Sequence, residues 1–75
     1  MDYRKMFSER LSQLRKSKGL SMLQLGEILG VSDEAIRLME RGKRSPSFEV
    51  LLSVAEFFSV SVDYLVGLSN TPERY

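Results

Sequence analysis

The chain has no cysteine and no histidine. Without cysteine, neither a disulfide nor a thiolate metal site can staple a small core. Without histidine, the commonest general base and the commonest metal ligand are missing. No apolar run approaches the roughly 18 residues that a bilayer-spanning helix needs. The first residues are Asp2, Tyr3, Arg4 and Lys5, and no apolar signal-peptide core follows them. A cytoplasmic location is therefore expected. Strand-type alternation, internal repeats and low-complexity tracts are also lacking. These absences argue against an enzyme, since metal-ligand clusters and room for a sizeable pocket are missing too. No cofactor, metal, small-molecule substrate or membrane partner is expected.

What remains is an ordinary soluble composition, 43% hydrophobic and 28% charged. Seventy-five residues make one domain that buries about 60% of its unfolded surface, so its core has little stability in reserve. The net charge of +1 hides an asymmetry. From Arg4 to Arg44 ten Lys or Arg face five acids, a balance of +5; from Ser45 to Tyr75 one base faces four acids, a balance of −3. A basic front half joined to an acidic rear half points to a face turned toward a polyanion.

Period and punctuation predict five helices and an all-α fold. The first runs from about Tyr3 to Lys16 with Phe7, Leu11 and Leu14 on one face, and Gly19 ends it. The second follows Ser21, where Ser21-x-x-Gln24 reads as a capping box. Leu25, Ile28 and Leu29 form its expected buried stripe, and Gly30 breaks it. The third is capped by Ser32, with Asp33 and Glu34 in its first turn, where the helix dipole favours negative charge. Ile36 and Met39 face inward, and Gly42 ends it. After the basic loop Arg41-Gly42-Lys43-Arg44, Ser45-Pro46-Ser47 is expected to open a fourth helix. Phe48, Leu51, Leu52, Ala55 and Phe58 would be its core stripe. A fifth begins after Ser61, turns Val62 and Leu65 inward and stops at Gly67. Residues 1–68 are expected to form the domain and residues 69–75 a frayed tail.

Only Gly30 and Val31 separate helices two and three, too short a link for an antiparallel hairpin, so the chain must turn a sharp corner. Gly26 lies four positions before that corner, where a larger side chain would collide with the next helix. Leu25, Leu29, Val31, Ile36 and Met39 fall where two helices set at a right angle face each other. This combination predicts a helix-turn-helix.

The stretch from Phe7 to about Leu65 resembles the Cro and phage-repressor family of DNA-binding domains, the lambda-repressor-like or xenobiotic-response-element type. The resemblance rests on Arg10-Leu11 with Leu14-Arg15, Gly19-Leu20-Ser21, Leu25-Gly26, Gly30-Val31-Ser32 and Glu40-Arg41-Gly42-Lys43. Pro46-Ser47, Leu51-Leu52, Ala55-Glu56 and Val60-Ser61-Val62-Asp63 complete it. Each piece is weak alone; in order and at these spacings they are specific. The resemblance implies a compact five-helix bundle whose third helix enters the major groove of double-stranded DNA, which admits a helix and distinguishes all four base pairs. Asp33, Glu34, Arg37 and Leu38 would then face the bases, with Arg37 suited to guanine and Leu38 to a thymine methyl. Ser32, Arg41, Lys43 and Arg44 would grip phosphates, together with Ser21 and Met22 at the head of the second helix. The resemblance also implies an ion pair between Arg15 and Glu40.

Two positions depart from the family pattern. Met22 stands where glutamine is usual. Asp33 and Glu34 put carboxylates near a phosphate backbone, either as dipole-stabilising residues or with one of them accepting from cytosine N4. Phe7, Phe48 and Phe58 are read as core residues. The fourth helix carries surplus apolar surface at Val50, Val54 and Phe57, with Tyr64 beyond, as for a symmetric homodimer; packing of that stripe on Tyr3 and Met6 is the alternative. The function expected is a sequence-specific transcriptional regulator, with repression favoured over activation. The competing class is a protein-interaction or antitoxin-like module on the same fold.

Overall fold

The computed structural model describes residues 2–73 and contains five helices: α1 Tyr3–Ser17, α2 Met22–Leu29, α3 Asp33–Glu40, α4 Phe48–Phe58 and α5 Val62–Val66. No strand is present among the described residues, and no helix there is long and apolar enough to cross a membrane. Each helix starts on a short polar residue whose side-chain oxygen accepts an N–H of the first turn: Asp2, Ser21, Ser32, Ser47 and Ser61. Five such caps satisfy donors that would otherwise be orphaned, and together they fix where each helix begins. The expected capping box is complete, with Gln24 N–H donating to Ser21 Oγ at 3.0 Å and Ser21 N–H to Gln24 Oε1 at 2.8 Å.

The core is Phe7 and Leu11 from α1, Leu25 and Leu29 from α2, Ala35, Ile36 and Met39 from α3, and Val54, Ala55 and Phe58 from α4, closed by Val60 and Leu65. α1 packs against α3 and α5, and α2 against α3 and α4. At the α2–α3 corner Gly30 takes a left-handed conformation (φ +75°) and Val31 N–H donates back to Gly26 O at 2.9 Å. A Cβ built on Gly26 would sit 2.6 Å from Val31 O. The close approach of the two helices therefore requires a very small residue there.

Several expectations are corrected. Ile28 is 45% exposed, because α2 turns Met22, Leu25, Gly26 and Leu29 inward instead. On α4 the expected stripe holds at Ala55 and Phe58, with Leu51 packed against the core, but Phe48 is 71% and Leu52 44% exposed while Val54 is wholly buried. Val54 therefore belongs to the protomer's own core and offers nothing to a partner. The helix is apolar nearly all round, so periodicity alone did not fix its inner face. Pro46 lies before the Ser47 cap, outside the helix.

Within the expected tail, residues 69–75, three positions make contacts with the helices and the loop between α4 and α5. The Arg10 guanidinium donates to the carbonyls of Tyr64 and Ser69 and to Asn70 Oδ1, and stacks on the Tyr64 ring 4.0 Å from its centroid. Ser61 N–H donates to Pro72 O at 3.2 Å. Arg74 and Tyr75, the end of the expected tail, lie outside the described residues.

Candidate nucleic-acid interface

The corner at Gly30 decides which residues of α3 reach solvent. Ala35, Ile36 and Met39 point into the core. The opposite face then carries Asp33, Glu34, Arg37, Leu38 and, one step past the helix end, Arg41. Asp33, Glu34 and Arg41 are exposed; Arg37 and Leu38 are half-buried. Eight residues span about 12 Å, a short rod with one polar face and one apolar face. Its three outermost cations, Arg41, Lys43 and Arg44, are all exposed. Gly42 (φ +72°) turns the chain between them, and Lys43 N–H donates to Leu38 O at 2.9 Å. The structure thus brings the expected base-facing residues and the basic loop to one edge of the domain.

The head of α2 is less uniform. Ser21 is exposed, whereas the Met22 side chain is half-buried against the core. What Met22 can offer an anion is its backbone N–H at a helix N-terminus, not its side chain. Ser32 is exposed, but its Oγ already accepts Ala35 N–H at 3.0 Å.

Arg15 and Glu40 meet in a two-point ion pair, Nε to Oε2 at 2.6 Å and Nη2 to Oε1 at 3.0 Å, with side chains only 11% and 6% exposed. The remaining end of the guanidinium donates to Leu20 O at 2.9 Å. This one arginine ties α1, the loop before α2 and the last turn of α3. The hydrogen bond to Glu40 raises the Arg15 pKa, opposed by burial, so the guanidinium is held charged.

A second pair was missed at the sequence level. Arg37 donates from Nε to Glu34 Oε1 at 3.0 Å and from Nη2 to Glu34 Oε2. The Glu-x-x-Arg spacing on one helix face was the available signal. The hydrogen bond from Arg37 lowers the Glu34 carboxyl from its ordinary value, and the same contact raises Arg37. One of the two carboxylates at the head of α3 is therefore already matched by a cation.

Of the four residues expected at a dimer surface, Phe57 is 36% exposed, with the Lys18 ammonium 5.6 Å from its ring centroid and Phe58 edge-on beneath it. Val50 and Tyr64 are half-buried, and Tyr64 is covered on one face by Arg10. With Val54 buried, these side chains do not form the continuous stripe that the sequence suggested.

Comparison with known proteins shows the family and the fold. The helix-turn-helix family profile matches residues 11–65. The chain is 37% identical over 68 residues to the HTH-type transcriptional regulator YobD of Bacillus subtilis, covering 91% of this chain and 61% of that protein. It is 47% identical over 61 residues to the HTH-type transcriptional activator BcrR of Enterococcus faecalis, covering 81% of this chain and 30% of that one. The chain thus spans less than two thirds of each of these relatives' length. Among solved structures, the c2 repressor of Salmonella phage P22, in complex with a synthetic operator, superposes with a TM-score of 0.76 at 35% identity. That match covers 80% of this chain and 91% of the repressor chain.

Proposed function

Because the chain belongs to the helix-turn-helix family, we propose that it is a sequence-specific double-stranded-DNA-binding regulator of transcription that inserts α3 into the major groove. The observation that carries the reading is the outward face of α3, with Arg37 and Leu38 beside Asp33 and Glu34, placed directly before the exposed cations Arg41, Lys43 and Arg44. A major groove about 12 Å wide accepts such a helix. The loop cations and the N-termini at Ser21–Met22 and Ser32 lie where flanking phosphates would run. The P22 repressor was solved in complex with a synthetic operator, which supports double-stranded DNA as the partner of this chain.

Repression is the direction we favour. Occupying an operator blocks transcription by exclusion alone, whereas activation needs a further contact surface. A symmetric dimer through α4 and α5 reads two half-sites about 34 Å apart; Phe57, Val50 and Tyr64 are the candidates for it, and Val54 is not. Residues 1–68 act as the DNA-binding domain. The role is exercised in the cytoplasm, where DNA is accessible, and it requires no catalytic group.

Fluorescence anisotropy against random and promoter duplexes at several salt concentrations tests the reading. The expected result is a log–log salt slope of minus several units together with a sequence-dependent component that survives high salt. Binding that shows neither would overturn it. Sedimentation with and without duplex tests the dimer: a monomer under both conditions at high concentration excludes it.

A further inference from the structure

Arg37 is the strongest hydrogen-bond donor on the outward face of α3, and it is not free. A guanidinium carries five N–H donors in a planar fork. Glu34 takes two of them along one edge, the Nε–H at 3.0 Å and one Nη2–H. The other edge, made by Nη1 and the second Nη2–H, has no partner among the described residues. It is that end-on edge whose two parallel N–H groups match O6 and N7 of guanine. Resting on the major-groove docking proposed above, we propose that Glu34 is a positioning residue. It holds Arg37 by the side edge so that the end edge is presented to a guanine, and it does not itself contact a base.

Three physical points favour this over a carboxylate that reads cytosine directly. Both Glu34 oxygens are already engaged by Arg37, so reading cytosine would first require breaking a two-point pair. A free arginine loses considerable rotamer freedom when it is immobilised on a base, and a side chain already held on its own helix loses less. The pair is also electrically neutral as a unit, so Glu34 approaches the phosphates without an uncompensated charge. The other charged groups acting electrostatically on the pair also support it, Arg41 favouring the Glu34 carboxylate and Asp33 the Arg37 guanidinium. In water the exposed pair is weak; with water excluded by the groove, the same contacts strengthen.

The test begins with duplexes selected by the wild-type protein from a random library. Anisotropy then measures affinity for every single-base variant, using wild type, E34A, R37A and the double variant E34A/R37A. Circular dichroism confirms that each variant is folded, which the exposure of both side chains leads us to expect. R37A should lose a guanine preference of about 5- to 150-fold at one base pair per half-site. E34A should weaken the preference at that same base pair by at least about threefold, and should have no further effect on it in the R37A background.

If E34A instead collapses preference at a different base pair, additively with R37A, Glu34 reads a base itself and the positioning role is wrong. If E34A raises affinity evenly for all duplexes with guanine preference intact, Glu34 only repels phosphate, and the proposal is again wrong. If wild type prefers no sequence at all, the docking of α3 fails first, an outcome distinct from both.

Discussion

Removing one member of the Arg15–Glu40 pair leaves a charge that the fold has largely withdrawn from water. Glu40 is 6% exposed and Arg15 11%. Breaking a buried pair from one side costs about 3–5 kcal/mol; because both groups keep a little solvent, about 3 kcal/mol is the value expected here. A domain of 75 residues has a total stability of roughly 4–11 kcal/mol, so about a quarter or more of it would go. At about 4–8 °C per kcal/mol for this size, the melting temperature should fall by about 12–24 °C. The two single variants should not be equal. Arg15→Ala strands Glu40 with no other partner among the described residues. Glu40→Ala leaves Arg15 its bond to Leu20 O and a long stem to swing outward, so Arg15→Ala should cost more. Replacing both by methionine should recover much of the loss, because no unpaired charge remains. Thermal and denaturant unfolding by circular dichroism measures all of this. Single variants that melt within about 4 °C of wild type would refute the reasoning, since the pair would then contribute under about 1 kcal/mol.

Three further outcomes are expected. Gly26→Val should destabilise by about 1–3 kcal/mol or more and abolish DNA binding, because its Cβ would meet the backbone oxygen of Val31 at 2.6 Å and backbone cannot swing aside; melting and anisotropy check it. Lys43→Ala and Arg44→Ala should each weaken binding to all duplexes evenly and reduce the log–log salt slope by about 1. The Glu34–Arg37 contact should be complete above the ordinary glutamate value of 4.5 and be lost as pH falls through the lowered folded-state value. The sign follows from a depressed carboxylate pKa. Carboxyl-carbon NMR should show a Glu34 midpoint below 4.5, returning toward it in Arg37→Ala.

The parts of this structure that were legible in the sequence are those encoded by single, unambiguous residues. Serine caps and left-handed glycines punctuate the chain at Ser21, Gly30, Ser32, Ser61 and Gly67, and the helices start and stop there. Gly26 betrayed the close corner because no other side chain fits. The outward face of α3 was readable because its charged residues Asp33, Glu34 and Arg37 lie opposite Ala35, Ile36 and Met39, with Leu38 the one apolar side chain among them. Where every face is apolar, the sequence falls silent: α4 offers Phe48, Val50, Leu51, Leu52, Val54, Ala55, Phe57 and Phe58, and only packing against α2 and α5 selects Val54, Ala55 and Phe58 for the core. Ile28 on α2 was misplaced for the same reason. The Arg10 clamp on Tyr64, Ser69 and Asn70 joins residues more than 50 positions apart, and no local pattern encodes such a contact.

The most direct test follows backbone amide resonances of the isotope-labelled protein during titration with its selected duplex. If α3 enters the groove, the large changes gather at Ser21 and Met22 and along residues 32–44, while the exposed side of α4 near Leu52 stays quiet. Large changes on α4 and α5 with residues 33–38 unmoved would contradict that docking and leave the outward face of α3 without its assigned role.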